Sequence, residues 1–270
     1  MNQHMTPVNS SGNILCESAS PAFIAHRGAS HDAPENTITA FNLAWRQGAD
    51  GIEGDFYLTK DREIVCVHDI TTKRTAGRTL RVAESTLMEL RQLDVGSWKG
   101  DQWSDARIPT IDEVLATVPQ GKKVFIEIKC GLEILPELKR RLAKCKLQPS
   151  QIVILSFNKR VIAETKRQIP QLKALWLIEF KTDKNTNVVS PSPKNILTIL
   201  REIGADGVNC NAHSIIDQHF MQTIRKANKE VHMWAVDDVT MAKRLLKLGV
   251  DSITTNRAGW LRQQLCNKTE

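Results

Sequence analysis

Short runs of β-branched and apolar residues alternate along the chain with longer stretches whose apolar positions recur at helical spacing. Ala22-Phe23-Ile24-Ala25 reads as a strand and leads through His26-Arg27-Gly28 into a polar loop, 31–36. Over 37–47, Ile38, Phe41, Leu43, Ala44 and Trp45 are spaced for one face of a helix, which Gly48 closes. Further strands are predicted over 51–58, 63–68, 123–129, 151–157, 173–179, 207–211, 231–236 and 252–256. Helices are predicted over about 111–118, 133–145, 158–168, 194–203, 214–228 and 238–248. The 63–68 run pairs with 51–58 as a hairpin through Thr59-Lys60-Asp61-Arg62, so it counts as an extension of one strand. Eight β units then alternate with helices, which implies an α/β fold with a parallel sheet.

The 270 residues suit closure of that sheet into a single TIM (β/α)8 barrel, which needs about 250. An open doubly wound sheet is the alternative, but no glycine-rich phosphate loop of the GxGxxG or GxxxxGKS type is present to favour it. One stretch breaks the rhythm. From about 70 to 107 the chain holds turn residues, one short helix near 84–93, and Trp98 and Trp103 among glycines and charges, so it reads as a small insertion over one end of the barrel. Residues 1–20 are polar and read as a flexible tail, leaving 21–265 as the barrel domain. Pro191-Ser192-Pro193, after the polar run 181–187, marks a long loop.

Composition changes this picture little. Hydrophobic residues at 41% and charged residues at 25% are ordinary for a globular protein. The net charge of +7 favours anionic partners. The basic residues are scattered, however, and Tyr57 is the only tyrosine, so the basic stripe with interleaved aromatics that nucleic acid requires is missing. The six cysteines show no CxxC and no short regular spacing, so reduced thiols are expected. With no apolar run of about 18 residues, no stable membrane anchor is expected, and the reading is a cytoplasmic protein. Nothing in the pattern fixes an oligomeric state.

The candidate chemistry lies at the C-terminal ends of the strands, where barrels of this kind carry their sites. His26 and Arg27 end the first strand, Glu53 and Asp55 lie on the second, His68-Asp69 ends the hairpin return, Glu127 and Lys129 end the third, and Trp234 lies near the end of the seventh. Side chains alternate along a strand, so Glu53 and Asp55 share a face, as do Glu127 and Lys129. Apolar Ile52, Ile126 and Ile128 take the other face. Three carboxylates in one barrel mouth are costly unless a cation offsets them, and a hard divalent ion, Mg²⁺ or Ca²⁺, suits oxygen ligands. Two histidines at strand ends suit a general acid and a general base, and Arg27 and Lys129 suit a phosphate. Each of these signals is common alone. Together they point to phosphoryl chemistry on an ester.

Longer blocks then carry a resemblance. Ala25-His26-Arg27-Gly28-Ala29, Ala33-Pro34-Glu35-Asn36-Thr37 and the run from Gly48 to Asp55 resemble the glycerophosphodiester phosphodiesterase family. So do Leu58-Thr59-Lys60-Asp61, Val67-His68-Asp69, Ile126-Glu127-Ile128-Lys129, Trp234-Ala235-Val236-Asp237-Asp238, Leu248-Gly249-Val250-Asp251 and Thr254-Thr255-Asn256-Arg257. The match runs in order over about 22–262. Leu93 to Trp98, with Ile108-Pro109-Thr110, is similar to the small insertion of bacterial members.

The resemblance implies metal-dependent hydrolysis of a glycerophosphodiester, a small-molecule substrate, to sn-glycerol 3-phosphate and an alcohol. It implies one divalent metal ion on Glu53, Asp55 and Glu127, with His26 and His68 as acid and base. Arg27 and Lys129 would hold the phosphate, while Trp234, with Phe157 as a weaker candidate, would give the glycerol an apolar wall. Glu35 and Asn36 either brace this site or cap their loop. The rival readings are a lysophospholipase D-type enzyme on the same barrel and a catalytically silent phosphate-binding barrel.

Two positions depart from the family pattern. Gly54 stands where members carry a bulky apolar residue, and is expected to leave a gap on the helix-facing side of the strand. Asn256 stands where aspartate is more usual, and reads as structural.

Overall fold

A computed structural model describes residues 21–266; the tail predicted over 1–20, with Cys16, lies outside them. Eight parallel strands form one closed sheet: β1 (Ala22–His26), β2 (Gly51–Leu58), β3 (Lys123–Ile128), β4 (Ile152–Ser156), β5 (Lys173–Ile178), β6 (Gly207–Asn211), β7 (Glu230–Trp234) and β8 (Ser252–Thr255). Pairing of β1 with both β8 and β2 closes the barrel. The helices that follow the strands are α1 (Ile38–Arg46), α2 (Ile111–Ala116), α3 (Leu135–Leu142), α4 (Lys159–Gln168), α5 (Pro193–Glu202), α6 (Gln218–Arg225), α7 (Val239–Leu248) and α8 (Ala258–Cys266). The predicted TIM barrel is therefore the observed fold.

The loops stop where capping chemistry starts the next helix. Thr37, Thr110, Asn158, Ser192, Asp217 and Asp238 each accept a hydrogen bond from a first-turn amide of the helix they precede. The loop predicted around Pro191 is shorter than expected. Lys181–Thr182 and Val189–Ser190 pair as a small antiparallel ribbon, and Ser192 and Pro193 begin α5.

Strand alternation decides what the lumen holds. Phe23, Ala25, Ile52, Phe56, Val124, Ile126 and Ile128 face outward into the layer beneath the helices. Ile24, Phe125, Val153, Leu155, Leu175 and Leu177 face inward and fill the lumen, with Trp234 packed against them. At its N-terminal end the lumen closes on polar groups: His232 meets Ser252 at 2.7 Å and Glu230 at 3.0 Å, and Lys173 bonds Glu230 at 2.6 Å. His26, Glu53, Asp55 and Glu127 continue the inward rows at the other end.

The predicted hairpin is present, with Ile64–Cys66 antiparallel to the end of β2. The insertion folds onto it: Val82, Leu90, Leu93, Val95, Ala106 and Ile108 pack against Tyr57, Val65 and Val67 as a separate small core. The single helix expected near 84–93 is two pieces, a 3₁₀ turn at Val82–Glu84 and a helix at Leu87–Arg91. Thr86 caps the second piece, which interrupts the first.

The gap expected at Gly54 does not exist. A Cβ there would lie 3.0 Å from Cys66 Sγ, 3.2 Å from Phe41 Cζ and 3.3 Å from Phe56 Cε2. Phe41 of α1 and Cys66 of the hairpin occupy the volume a larger side chain would take. Gly54→Ala is therefore expected to destabilise the protein by about 1–3 kcal/mol through overpacking. Denaturant unfolding checks this, and an unchanged or higher midpoint contradicts it.

Candidate active site

The mouth of the barrel at β1–β3 is built on a sharp turn. β1 ends at His26, and Arg27 adopts a positive φ of 55°. Gly28 follows at φ 80°, where an added Cβ would lie 2.6 Å from the Ala40 carbonyl carbon, so only glycine fits between this turn and α1. The turn aims the Arg27 amide at Glu53 Oε2 (3.0 Å) and its guanidinium at Asp55 (3.3 Å) and Glu35 (2.9 Å).

Glu53, Asp55 and Glu127 offer carboxylate oxygens that all lie within 4.8 Å of one another. Glu53 and Asp55 are buried, and one oxygen of Glu53, Oε1, has no hydrogen-bond partner among the described residues. Burial, with the charges of Asp55 and Glu127, pushes the Glu53 carboxyl well above the usual glutamate range. Burial and Asp55 likewise raise Glu127. Burial alone would raise Asp55 too, but Lys129, Arg27 and His68 outweigh it and hold its carboxyl below the usual range. Lys129 donates to Glu127 at 2.8 Å and lies 3.3 Å from Asp55. Two cations thus serve three close carboxylates and leave a buried oxygen unpartnered. Oxygen donors without histidine or cysteine among them fit a hard divalent cation better than zinc.

Glu35 and Asn36 brace this cluster, which resolves the two readings of that loop. Buried Asn36 donates to Asp55 Oδ2 at 2.8 Å, and its Oδ1 accepts from the Asp55 amide at 3.2 Å. Glu35 ties Arg27 to Arg74, which donates to it at 2.7 and 2.8 Å. Arg74 also donates to Asp69 at 2.7 Å, and Asp69 meets His68 Nδ1 at 2.6 Å. One chain of charge-assisted bonds therefore runs from His68 to Arg27, which meets Asp55 as an ion pair. Arg74 comes from the insertion and had no signal in the sequence, since one arginine among charged residues looks like solvated surface.

His26 Nε2 lies 4.0 Å from Glu53 Oε2. Its Nδ1 meets Asn256 Oδ1 at 2.8 Å, so Asn256 does more than hold its own loop. Phe157 and Trp234 touch edge to face with centroids 5.9 Å apart, although their strands are three apart around the barrel. Phe157 is 48% exposed, so the pair forms an apolar wall open to solvent. Beside His26 and Arg27 lies a cleft of about 420 Å³, also lined by Trp98, Lys99, Asn256 and Arg257.

Residues 26–259 match the model of the glycerophosphoryl diester phosphodiesterase family. The chain is 34% identical over 239 residues to a glycerophosphodiester phosphodiesterase of Caldanaerobacter subterraneus subsp. tengcongensis, covering 86% of this chain and 93% of that one. It is 30% identical over 272 residues to a glycerophosphodiester phosphodiesterase of Bacillus subtilis, covering 93% and 89%. Among solved structures it resembles an Oleispira antarctica phosphodiesterase in complex with the product sn-glycerol-3-phosphate, with TM-score 0.80 and 25% identity over 90% of this chain and 96% of that one.

Proposed function

This chain belongs to the glycerophosphoryl diester phosphodiesterase family, and from that premise we propose that it hydrolyses glycerophosphodiesters to sn-glycerol 3-phosphate and an alcohol. The observation that carries the reading is the cluster of Glu53, Asp55 and Glu127 with its buried, partnerless Glu53 oxygen, at the barrel mouth beside His26. Glu53, Asp55 and Glu127 hold one divalent cation, Mg²⁺ or Ca²⁺. When bound, that ion supplies Lewis-acid polarisation of a phosphoryl oxygen and offsets charge building in the transition state.

The protein's own groups do the rest. Arg27 and Lys129 present positive charge to the phosphate from either side of Asp55. His26 and His68 act as acid and base, one taking the proton of the attacking hydroxyl and the other returning one to the leaving alkoxide. Trp234 and Phe157 give the glycerol carbons an apolar wall. We read the setting as cytoplasmic, supported by cysteines without disulfide-type spacing. Among the described residues no helix is long and apolar enough to cross a membrane.

An assay of glycerol 3-phosphate release from several glycerophosphodiesters, in EDTA and then with Mg²⁺ or Ca²⁺ restored, tests this. Activity is expected only with the ion. Undiminished turnover in EDTA contradicts the metal reading, and no glycerol 3-phosphate from any diester contradicts the reaction.

The raised carboxyls add a pH dependence. Folding favours the protonated form of Glu127, whose value is pushed from the ordinary 4.5 up to about 7. That contribution to stability is present below 4.5 and is lost as pH rises towards 7. A cation competes with those protons, so the rise in thermal midpoint on adding Mg²⁺ is expected to be larger at about pH 8 than at about pH 5. An equal rise at both contradicts the cluster as the binding site.

A further inference from the structure

We propose that Asn256, held in turn by Asp237, is a positioning residue that fixes which nitrogen of His26 faces the barrel mouth. The inference rests on the role given to His26 above, but its geometry stands apart from any substrate. Asp237 Oδ2 accepts a short hydrogen bond from Asn256 Nδ2, and Asp237 Oδ1 accepts from the Asn256 amide at 2.8 Å and Thr255 Oγ1 at 2.7 Å. An ionised carboxylate only accepts, so the Asn256 NH₂ must face Asp237. Its Oδ1 is thereby turned to His26 Nδ1 at 2.8 Å and Ser30 Oγ at 3.0 Å. An amide oxygen also only accepts. His26 must therefore carry its proton on Nδ1, leaving Nε2 as the nitrogen presented beside Glu53.

The hydrogen bond at Nδ1, with Asn256 itself held by Asp237, also limits rotation of the ring. Without Asn256 the imidazole can rotate and its two tautomers approach equality. The sequence hides this pairing, because His26 and Asn256 are 230 positions apart.

The arrangement predicts an exchange. Asn256→Asp alone places two carboxylates against each other and removes the donor between them. Asn256→Asp combined with Asp237→Asn restores one donor and one acceptor at the same contact, and keeps an acceptor for His26, Ser30 and Thr255.

The test reads kcat, KM and the His26 tautomer, the last by long-range ¹H–¹⁵N NMR of the substrate-free protein. The wild type is expected to show His26 as the Nδ1–H form. Asn256→Ala is expected to lose that preference and to lower kcat by about 10–100-fold, with KM little changed. The single exchange is expected to fall similarly, and the double exchange to recover most of kcat and the Nδ1–H form. Should Asn256→Ala not fold, the single and double exchanges carry the same comparison. An unchanged tautomer with kcat within about twofold in Asn256→Ala overturns the proposal, since a merely structural residue would alter stability alone. A double exchange no better than the single one overturns it too. A wild type with no diesterase activity would overturn the hydrolase reading, while the tautomer comparison still judges this one.

Discussion

Glu53→Gln is expected to lower kcat/KM on a glycerophosphodiester by about 10³-fold, to abolish the thermal shift on adding Mg²⁺, and yet to make the metal-free protein more stable. The loss follows from removing one of the three proposed cation ligands, a contribution of several kcal/mol to transition-state charge stabilisation. The gain follows from the same crowding. Glu53 is buried beside Asp55 and Glu127 with one oxygen unpartnered, and its carboxyl is pushed up by burial and by both neighbours. A neutral amide of the same shape relieves that repulsion, and its oxygen can still accept from the Arg27 amide. An increase of about 1 kcal/mol is expected for the metal-free state, the direction usual when a functional site built against stability is neutralised. Calorimetry in EDTA, with kinetics in Mg²⁺, checks both halves. A metal-free midpoint below that of the wild type, or activity within tenfold of it, would remove the carboxylate cluster from the centre of the mechanism.

His26→Ala and His68→Ala are each expected to lower kcat by about 10²–10⁴-fold while the thermal response to Mg²⁺ is retained. The separation is physical. Neither imidazole lies among the three clustered carboxylates: His26 is hydrogen-bonded to Asn256, and His68 is held by Asp69. Removing either takes away the proposed proton transfer and leaves the oxygen cluster in place. Full activity in either variant would sink its role as acid or base. Loss of the Mg²⁺ response together with activity would instead mean that the histidine holds the carboxylates in position, a reading that the 4.0 Å approach of His26 to Glu53 makes worth excluding.

Much of the site is legible in the amino-acid sequence, for one reason. Glu53 and Asp55, two residues apart, must share a face of β2, and the apolar residues between and around Glu127 and Lys129 say which face meets the helices. Volume is not legible in the same way. Gly54 looks like a gap when only its own strand is considered, and it is tight because Phe41 and Cys66 arrive from two other elements.

By itself, then, the sequence determined the eight-unit barrel and the shared inward face of the carboxylates on β2 and β3. Those features depend on periods of 2 and 3.6 residues, which are local properties of the backbone. The tertiary structure alone decided the partners of those groups. Arg74 reaches Glu35 across 39 positions, and Asn256 reaches His26 across 230. Such pairs are set by barrel closure and by how the insertion folds over the mouth, and no periodicity in the chain encodes which distant loops will meet.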